Sequence, residues 1–338
     1  MNVRQARLER IRRLGLWIVL AIVVGGFSIV SPVFRSSYNL INVLEQNSII
    51  GIVACGMTVM MIVGGFDLSV GATGATASVV GATIAVAGGG DLLAIGAGLG
   101  IGVVVGLLNG VIIARLGINA FVTTFAMATI VTGLLLVATN AHSTVGVTPV
   151  LKAVSTVKLG PVPVVFLVFL VVLALVWFLL TRTRYGHYVY SVGGNAEASH
   201  LSGVPVARVR ILAFTLGGLL AGMGGLLLLG QTDVGQPSGA VGWPLQAIAI
   251  CVVGGVALTG GVGRIPDVLA ATLLLGYIGN GLKQVGVTAY WLPAVTGVVI
   301  LGAVILDQYN RRRRTAPKPA ADDSRLVPTT GEEVRPAA

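Results

Sequence analysis

The chain has 338 residues, of which 55% are apolar and only 10% charged, with a mean hydropathy of +0.93. An ordinary soluble domain carries roughly 25% charged residues, so this composition excludes a soluble globular protein. The formal net charge of +10 does not point to nucleic acid, because the arginines cluster beside apolar segments, where they orient helices across a bilayer.

Residues 1–13 form a basic, cytoplasmic N-terminus containing Arg4, Arg7, Arg10, Arg12 and Arg13. The apolar run from Leu14 to Val30 is longer than the core of a secretory signal, and Ser31-Pro32 stands where a small-residue cleavage site would be. It reads as an uncleaved first span. Apolar runs then continue to Leu306 without a long polar interruption, giving one membrane domain over 14–308. A bilayer core of about 30 Å needs about 20 helical residues. That ruler predicts about ten spans, at 14–33, 45–63, 68–88, 92–114, 120–139, 163–181, 209–229, 244–260, 267–284 and 291–308. The segments lack the alternation of a membrane barrel, so the expected class is an all-α polytopic membrane protein.

Ten crossings place Arg115, Arg182, Arg184, Arg208, Arg210, Arg264 and Arg311 to Arg314 on the side of the N-terminal arginines, with both termini in the cytoplasm. Arg35, Lys152, Lys158 and Lys283 fall outside or near the outer edge. Trp17 and Trp177 lie toward the inner interface, and Trp243, Tyr290 and Trp291 toward the outer one. Residues 309–338 are read as a disordered cytoplasmic tail, because past Arg314 there is almost no large apolar side chain to offset ordering entropy.

Glycines are abundant, 48 in all, and between lipids small residues let helix backbones approach. Gly98, Gly102, Gly106 and Gly110 make a ridge on the fourth span, and Gly218 and Gly222 repeat the device on the seventh. Gly64-Gly65-Phe66-Asp67-Leu68-Ser69-Val70-Gly71 joins spans two and three. Gly254-Gly255-Val256-Ala257-Leu258-Thr259-Gly260-Gly261 joins spans eight and nine. Both read G-G-x-x-L-[ST]-x-G, and both occur where an inward crossing meets an outward one. The chain is therefore expected to hold two parallel-related halves with broken helices in matching positions, an arrangement suited to a transport path. Two unrelated glycine turns are the plainer reading.

Asp67 falls in the first break, where a carboxylate must be paired, hydrated or near the interface. Capping the third span is its structural role, and binding a solute hydroxyl its functional alternative. Asn109, Gln246 and Asn280 lie within spans, either as helix-to-helix ligands or as hydrogen-bonding groups along a path. With Gly64, Gly65, Ser69, Gly254, Gly255 and Thr259 they make up the candidate path and break positions. Cys55 and Cys251 have no metal-ligand spacing and read as buried small apolar residues. No catalytic or metal-binding constellation stands out, and no phosphate-cradling loop of the G-x-x-x-x-G-K-[ST] type is present.

The connection 182–208 is the longest on the cytoplasmic side. Ala196, Glu197, Ala198, Ser199, His200 and Leu201 fit a short helix, with Asn195 as its N-cap and Gly203, after Ser202, as its stop. Such a helix is well placed to take a push from a soluble partner, although a solvated loop is the simpler alternative.

The segments G-G-F-D-L-S-V-G, G-G-N-A-E-A-S-H-L-S-G-V and V-G-G-V-A-L-T-G-G-V-G-R, followed by Asn280-Gly281-Leu282 and Tyr290-Trp291, resemble in order and spacing the permease subunits of ribose-type bacterial ABC importers. The likeness covers about residues 35 to 308. It departs at His200, where an arginine is expected, and at Ile265-Pro266, where the sugar group shows an aromatic residue. The resemblance implies a permease in the bacterial inner membrane, translocating a monosaccharide. It also implies a second permease copy, a cytoplasmic ATP-binding subunit that uses ATP and Mg, and an extracytoplasmic solute-binding protein. Residues Asn195 to Val204 would dock onto the ATPase, and the chain itself would bind no cofactor. A branched-chain amino acid, nucleoside or sugar-like signal is the nearest alternative cargo, and an ion-coupled secondary transporter a more distant one. No arginine lies within a span to meet an amino-acid carboxylate, which favours a neutral polyol.

Overall fold

The computed structural model describes residues 3–288, with side chains from Gly15 onward, and the isolated positions Trp291, Ala294, Gly297, Val298, Leu301 and Gly302. The expected tenth span at 291–308 lies largely outside the described residues, and the tail wholly so.

Twelve helices follow one another in the described residues: α1 Val3–Val30, α2 Ser37–Ile62, α3 Val70–Val86, α4 Asp91–Arg115, α5 Ala120–Thr139, α6 Pro149–Thr156, α7 Val164–Arg182, α8 Arg184–Gly194, α9 Ala196–Leu201, α10 Val206–Thr232, α11 Trp243–Val253 and α12 Ile265–Gln284. Two antiparallel ladders interrupt them. Thr144–Val145 (β1) pairs with Val234–Gly235 (β4), and Lys158–Leu159 (β2) with Val162–Pro163 (β3). Six helices, α2, α4, α5, α7, α10 and α12, are long and apolar enough to cross a membrane; Gly15–Val30, α3 and α11 are apolar but shorter. The protein is an all-α polytopic membrane protein.

The first nine expected spans fall on α1 to α5, α7, α10, α11 and α12, with informative differences at the ends. The second span begins at Ser37 rather than 45, because the Ser36 hydroxyl accepts the Asn39 N–H and starts the helix before its apolar run. The eighth, expected at 244–260, stops at Val253. Eleven residues rise about 16 Å, half of a bilayer core, so α11 is a half-helix completed by irregular chain. Both helix breaks use the same stop. In α2 the Gly65 N–H donates to Met60 O and the Gly64 N–H to Met61 O, with Gly64 at φ +97°. In α11 the Val256 N–H donates to Cys251 O and the Gly255 N–H to Val252 O, with Gly255 at φ +76°. These are paired Schellman ends, whose left-handed residue favours glycine. They align one residue out of step with the sequence motif, since Gly64 is the motif's first glycine and Gly255 its second.

The α2 helix runs through the centre, nearly all of it buried from Ser48 to Ile62. The most extensive helix pairing is α4 with α10. It is a meeting of the two glycine ridges. A methyl on Gly102 would strike the Gly218 carbonyl, one on Gly106 the Phe214 carbonyl, and one on Gly222 would come within 2.8 Å of the Gly98 carbonyl. Contact this close between backbones is what small residues provide where the hydrophobic effect cannot drive association. The α1 helix lies against α12, with Phe27 facing Gly281, around a smaller core of Phe34, Val43 and Tyr277.

Candidate functional site

At one end of the bundle the loops expected to face outward form a single platform. The β1–β4 ladder ties the α5–α6 connection to the α10–α11 connection. Lys152 pairs with Asp233, and the Val150 N–H donates to Asp91 Oδ1. Lys158 reaches Glu45 at 3.3 Å. The Ser155 hydroxyl donates to Leu227 O, and α6 lies against Gly230.

Below this platform, α2, α10, α11 and α12 enclose a cavity of about 290 Å³, near the low end of the roughly 300–1,000 Å³ of small-molecule sites. Five amide side chains line it: Gln46 and Asn47 from α2, Gln231 from α10, Gln246 from α11 and Asn280 from α12. Trp243 gives one apolar wall and Lys283 stands on the same lining. Amides donate and accept alike, so they are matched to hydroxyl groups, and Lys283 adds one cation to a lining that holds no acidic side chain among the described residues. Gln246 and Asn280 were expected on a path from their place within spans, and both line the cavity. Asn280 is also committed elsewhere. Its amide makes a reciprocal pair with Asn39, donating across 3.0 Å and accepting across 2.8 Å, and fastens α12 to α2. Sequence reasoning missed Gln46, Asn47 and Gln231. Gln231 lay past the expected end of the seventh span, yet α10 runs to Thr232. Gln46 and Asn47 stood at the assumed edge of a helix that in fact begins at Ser37.

The remaining candidates do not line the cavity. Asp67 is buried, and its Oδ1 accepts both the Ser69 N–H and the Ser69 hydroxyl at 2.6 Å. The Asn109 amide donates to Asp67 Oδ2 at 3.3 Å and to Ser69 Oγ at 2.9 Å. This knot holds the turn that starts α3. Ser69 is the N-cap residue and makes no side-chain cap bond, so Asp67 braces the cap instead of occupying it. Thr124 adds a hydroxyl that accepts the Leu68 N–H. Gly64 and Gly65 lie in the first break, at the opposite end of α2 from its lining residues, whereas Gly254, Gly255 and Thr259 lie in the second, just past Ile250, the last lining residue of α11.

The third feature lies at that opposite end. The connection 182–208, read from sequence as a loop holding one short helix, is mostly helical. The α8 helix begins at Thr183, whose hydroxyl accepts the Gly186 N–H, and the Tyr185 hydroxyl donates to Val209 O on α10. A single residue, Asn195, separates α8 from α9. Its side chain accepts the Ala198 N–H at 2.9 Å, and α9 ends with Gly203 at φ +82°, where the Val204 N–H donates to Ser199 O. The expected cap and stop both take the predicted form. Ser199 is buried, while Glu197, Ala198, His200, Ser202 and Gly203 are exposed, Ala196 is half-buried and Leu201 is 82% exposed. The short capped helix thus holds one large apolar side chain outward.

The C-terminal end of α8 touches both helix breaks. The Gly261 N–H donates to Ile62 O at 2.8 Å, and a methyl on Gly193 would land on that carbonyl. The Tyr190 hydroxyl donates to Gly263 O at 2.8 Å. Burial raises the Tyr190 phenol above its ordinary value, against the lowering effect of the Arg264 charge, so the hydroxyl remains a donor at neutral pH.

Residues 39–305 match the family described as branched-chain amino acid transport system / permease component. The chain is 37% identical over 298 residues to the ribose import permease protein of Escherichia coli K12, covering 86% of this chain and 92% of that protein. It is 37% identical to the ribose import permease protein of Bacillus subtilis, covering 87% and 91% respectively. It is 34% identical over 315 residues to the L-arabinose ABC transporter permease protein of Azospirillum brasilense, covering 92% and 91%. No solved structure matches. With a match that takes in both helix breaks, α9 and the amide-lined cavity, the chain belongs to this family of transport permeases.

Proposed function

We propose that this chain is the transmembrane permease subunit of an ATP-binding-cassette importer in the bacterial inner membrane, and that it passes a neutral polyhydroxylated solute of aldopentose size. The observation that carries the reading is the cavity of five amides and one tryptophan. Hydroxyl groups exchange hydrogen bonds with such a wall at little net cost, and a tryptophan face packs on the C–H surface of a sugar ring. The relatives named for ribose and arabinose support the same class. The family description names branched-chain amino acids, and a zwitterion of that kind needs both charges met and an apolar site for its side chain. The ion-coupled alternative depends on Asp67, whose oxygens instead accept from Ser69 and Asn109.

In this reading a loaded extracytoplasmic binding protein docks on the platform of residues 140–162 and 230–243, and a second permease copy, identical or paralogous, completes the path. A cytoplasmic subunit docks on Asn195 to Gly203 and hydrolyses ATP with Mg, so this chain is a transport subunit and not itself the ATPase. Both termini lie in the cytoplasm, with residues 1–13 as a basic segment.

Reconstitution with the cognate ATP-binding subunit and binding protein tests the proposal. Labelled D-ribose or L-arabinose is expected to accumulate with ATP, and L-leucine is not. Leucine uptake exceeding that of both pentoses would sink the sugar assignment. Deleting 195–204 is expected to abolish stimulation of ATP hydrolysis by the loaded binding protein, and preserved stimulation would sink the docking assignment.

A further inference from the structure

Three stretches of backbone that are distant in sequence meet at one point. A methyl on Gly193 would overlap Ile62 O and lie 2.6 Å from the Gly261 nitrogen. One on Gly260 would lie 2.8 Å from Gly193 O and 3.0 Å from the Gly64 Cα, and one on Gly261 would lie 2.9 Å from the Gly194 Cα. The end of α8, the first break and the second break are therefore packed backbone to backbone, with no side chain between them to yield. The Tyr190 hydroxyl fastens α8 to Gly263 from one side. At its other end α8 is tied to α10 through Tyr185 and Val209 O. Only Asn195 separates α8 from the exposed α9, and its own N–H donates to Ser191 O.

We infer that Tyr190 is a positioning residue that ties the partner-facing helix α9 to the second break, and that the Gly193–Gly194 contact carries a displacement of α9 to both breaks together. The inference rests on the reading of 195–204 as the docking segment. A close-packed contact is bistable rather than continuously deformable, so a push on α9 moves the ends of α2 and α11 together or not at all. The two breaks end α2 and α11, and both helices line the cavity, which gives the movement a route to the solute path.

Hydrogen exchange on the permease in nanodiscs with its ATP-binding subunit, with and without ATP, magnesium and vanadate, tests this without knowledge of the solute. In the wild type, the nucleotide-dependent change at 195–204 is expected together with changes at 60–66 and 254–264. In Tyr190→Phe the change at 195–204 persists, while that at 254–264 falls by about threefold or more. Tyr188→Phe, on the same helix with its side chain exposed, behaves as wild type. A wild-type response at one break without the other overturns the junction even if Tyr190→Phe does not assemble. An undiminished response at 254–264 in Tyr190→Phe overturns the role of Tyr190. No wild-type change at 195–204 overturns the docking reading, and this inference with it.

Discussion

The Thr58 hydroxyl and the Cys251 thiol lie 3.3 Å apart, joining α2 to α11, with Cys251 directly after the cavity-lining Ile250. The Cys251 sulfur also reaches Ala54 O at 3.5 Å, and Cys55 is buried beside it. Thr58→Val keeps the volume and removes the hydroxyl, so it is expected to cost about 1 kcal/mol. Thr58→Leu overfills a site with no exposure and is expected to cost about 1–3 kcal/mol. Thermal unfolding in detergent measures both, and equal melting temperatures for the two variants would contradict the close contact.

The cavity amides divide into two kinds. Gln231→Leu and Gln246→Leu are expected to lower pentose uptake about tenfold while leaving assembly intact, because one solute hydrogen bond is worth about 1.4 kcal/mol when its partner is left unpaired. Asn280→Leu acts first on assembly, since it loses an interhelical amide pair worth about 1–2 kcal/mol, although Asn39 keeps its bonds to Phe34 O and Gln284. Adding Asn39→Leu is expected to deepen the loss, as it also breaks the bonds of Asn39 to Phe34 O and Gln284. Size-exclusion profiles and melting temperatures of the single and double variants decide it.

The Asp67 knot is expected to govern assembly or gating rather than selectivity. In Asp67→Asn one amide oxygen can still accept both Ser69 bonds, and the Asn109 side-chain oxygen, buried without a hydrogen-bond partner among the described residues, can turn to accept the new amide. Uptake of D-ribose and L-arabinose should fall by the same factor, and Asp67→Leu should do more damage than Asp67→Asn. A change in the ratio of the two sugars would show that Asp67 meets the solute.

The meeting of the glycine ridges can be tested at neighbouring positions. Gly102→Ala drives a methyl into the Gly218 carbonyl and is expected to cost about 1–3 kcal/mol. Gly100→Ala, on the same helix with open space around it, should be neutral or slightly stabilising. Parallel losses in both variants would mean that helix propensity, not contact with α10, is being measured.

Much of this architecture is legible one-dimensionally. The hydropathy runs locate nine helices, and the Asn195 cap and Gly203 stop define α9, because apolar length and cap chemistry are local properties. The paired breaks are legible as glycine motifs, although the motif misaligns the two left-handed residues by one position. The half-length of α11 was not legible, since Val256, Ala257 and Leu258 keep the hydropathy high beyond the point where Gly255 ends the helix.

The sequence alone determined that the chain lives in a bilayer, where its helices run and where they break, because solvent transfer and chain termination act on neighbouring residues. Only the tertiary structure decided that Gly193, Ile62 and Gly261 meet, that Asn109 bonds Asp67, and that Gln46, Asn47 and Gln231 join Gln246 around one cavity. Those relations depend on which faces of the helices pack together, and a polar side chain within a span carries no local mark of the partner it will meet.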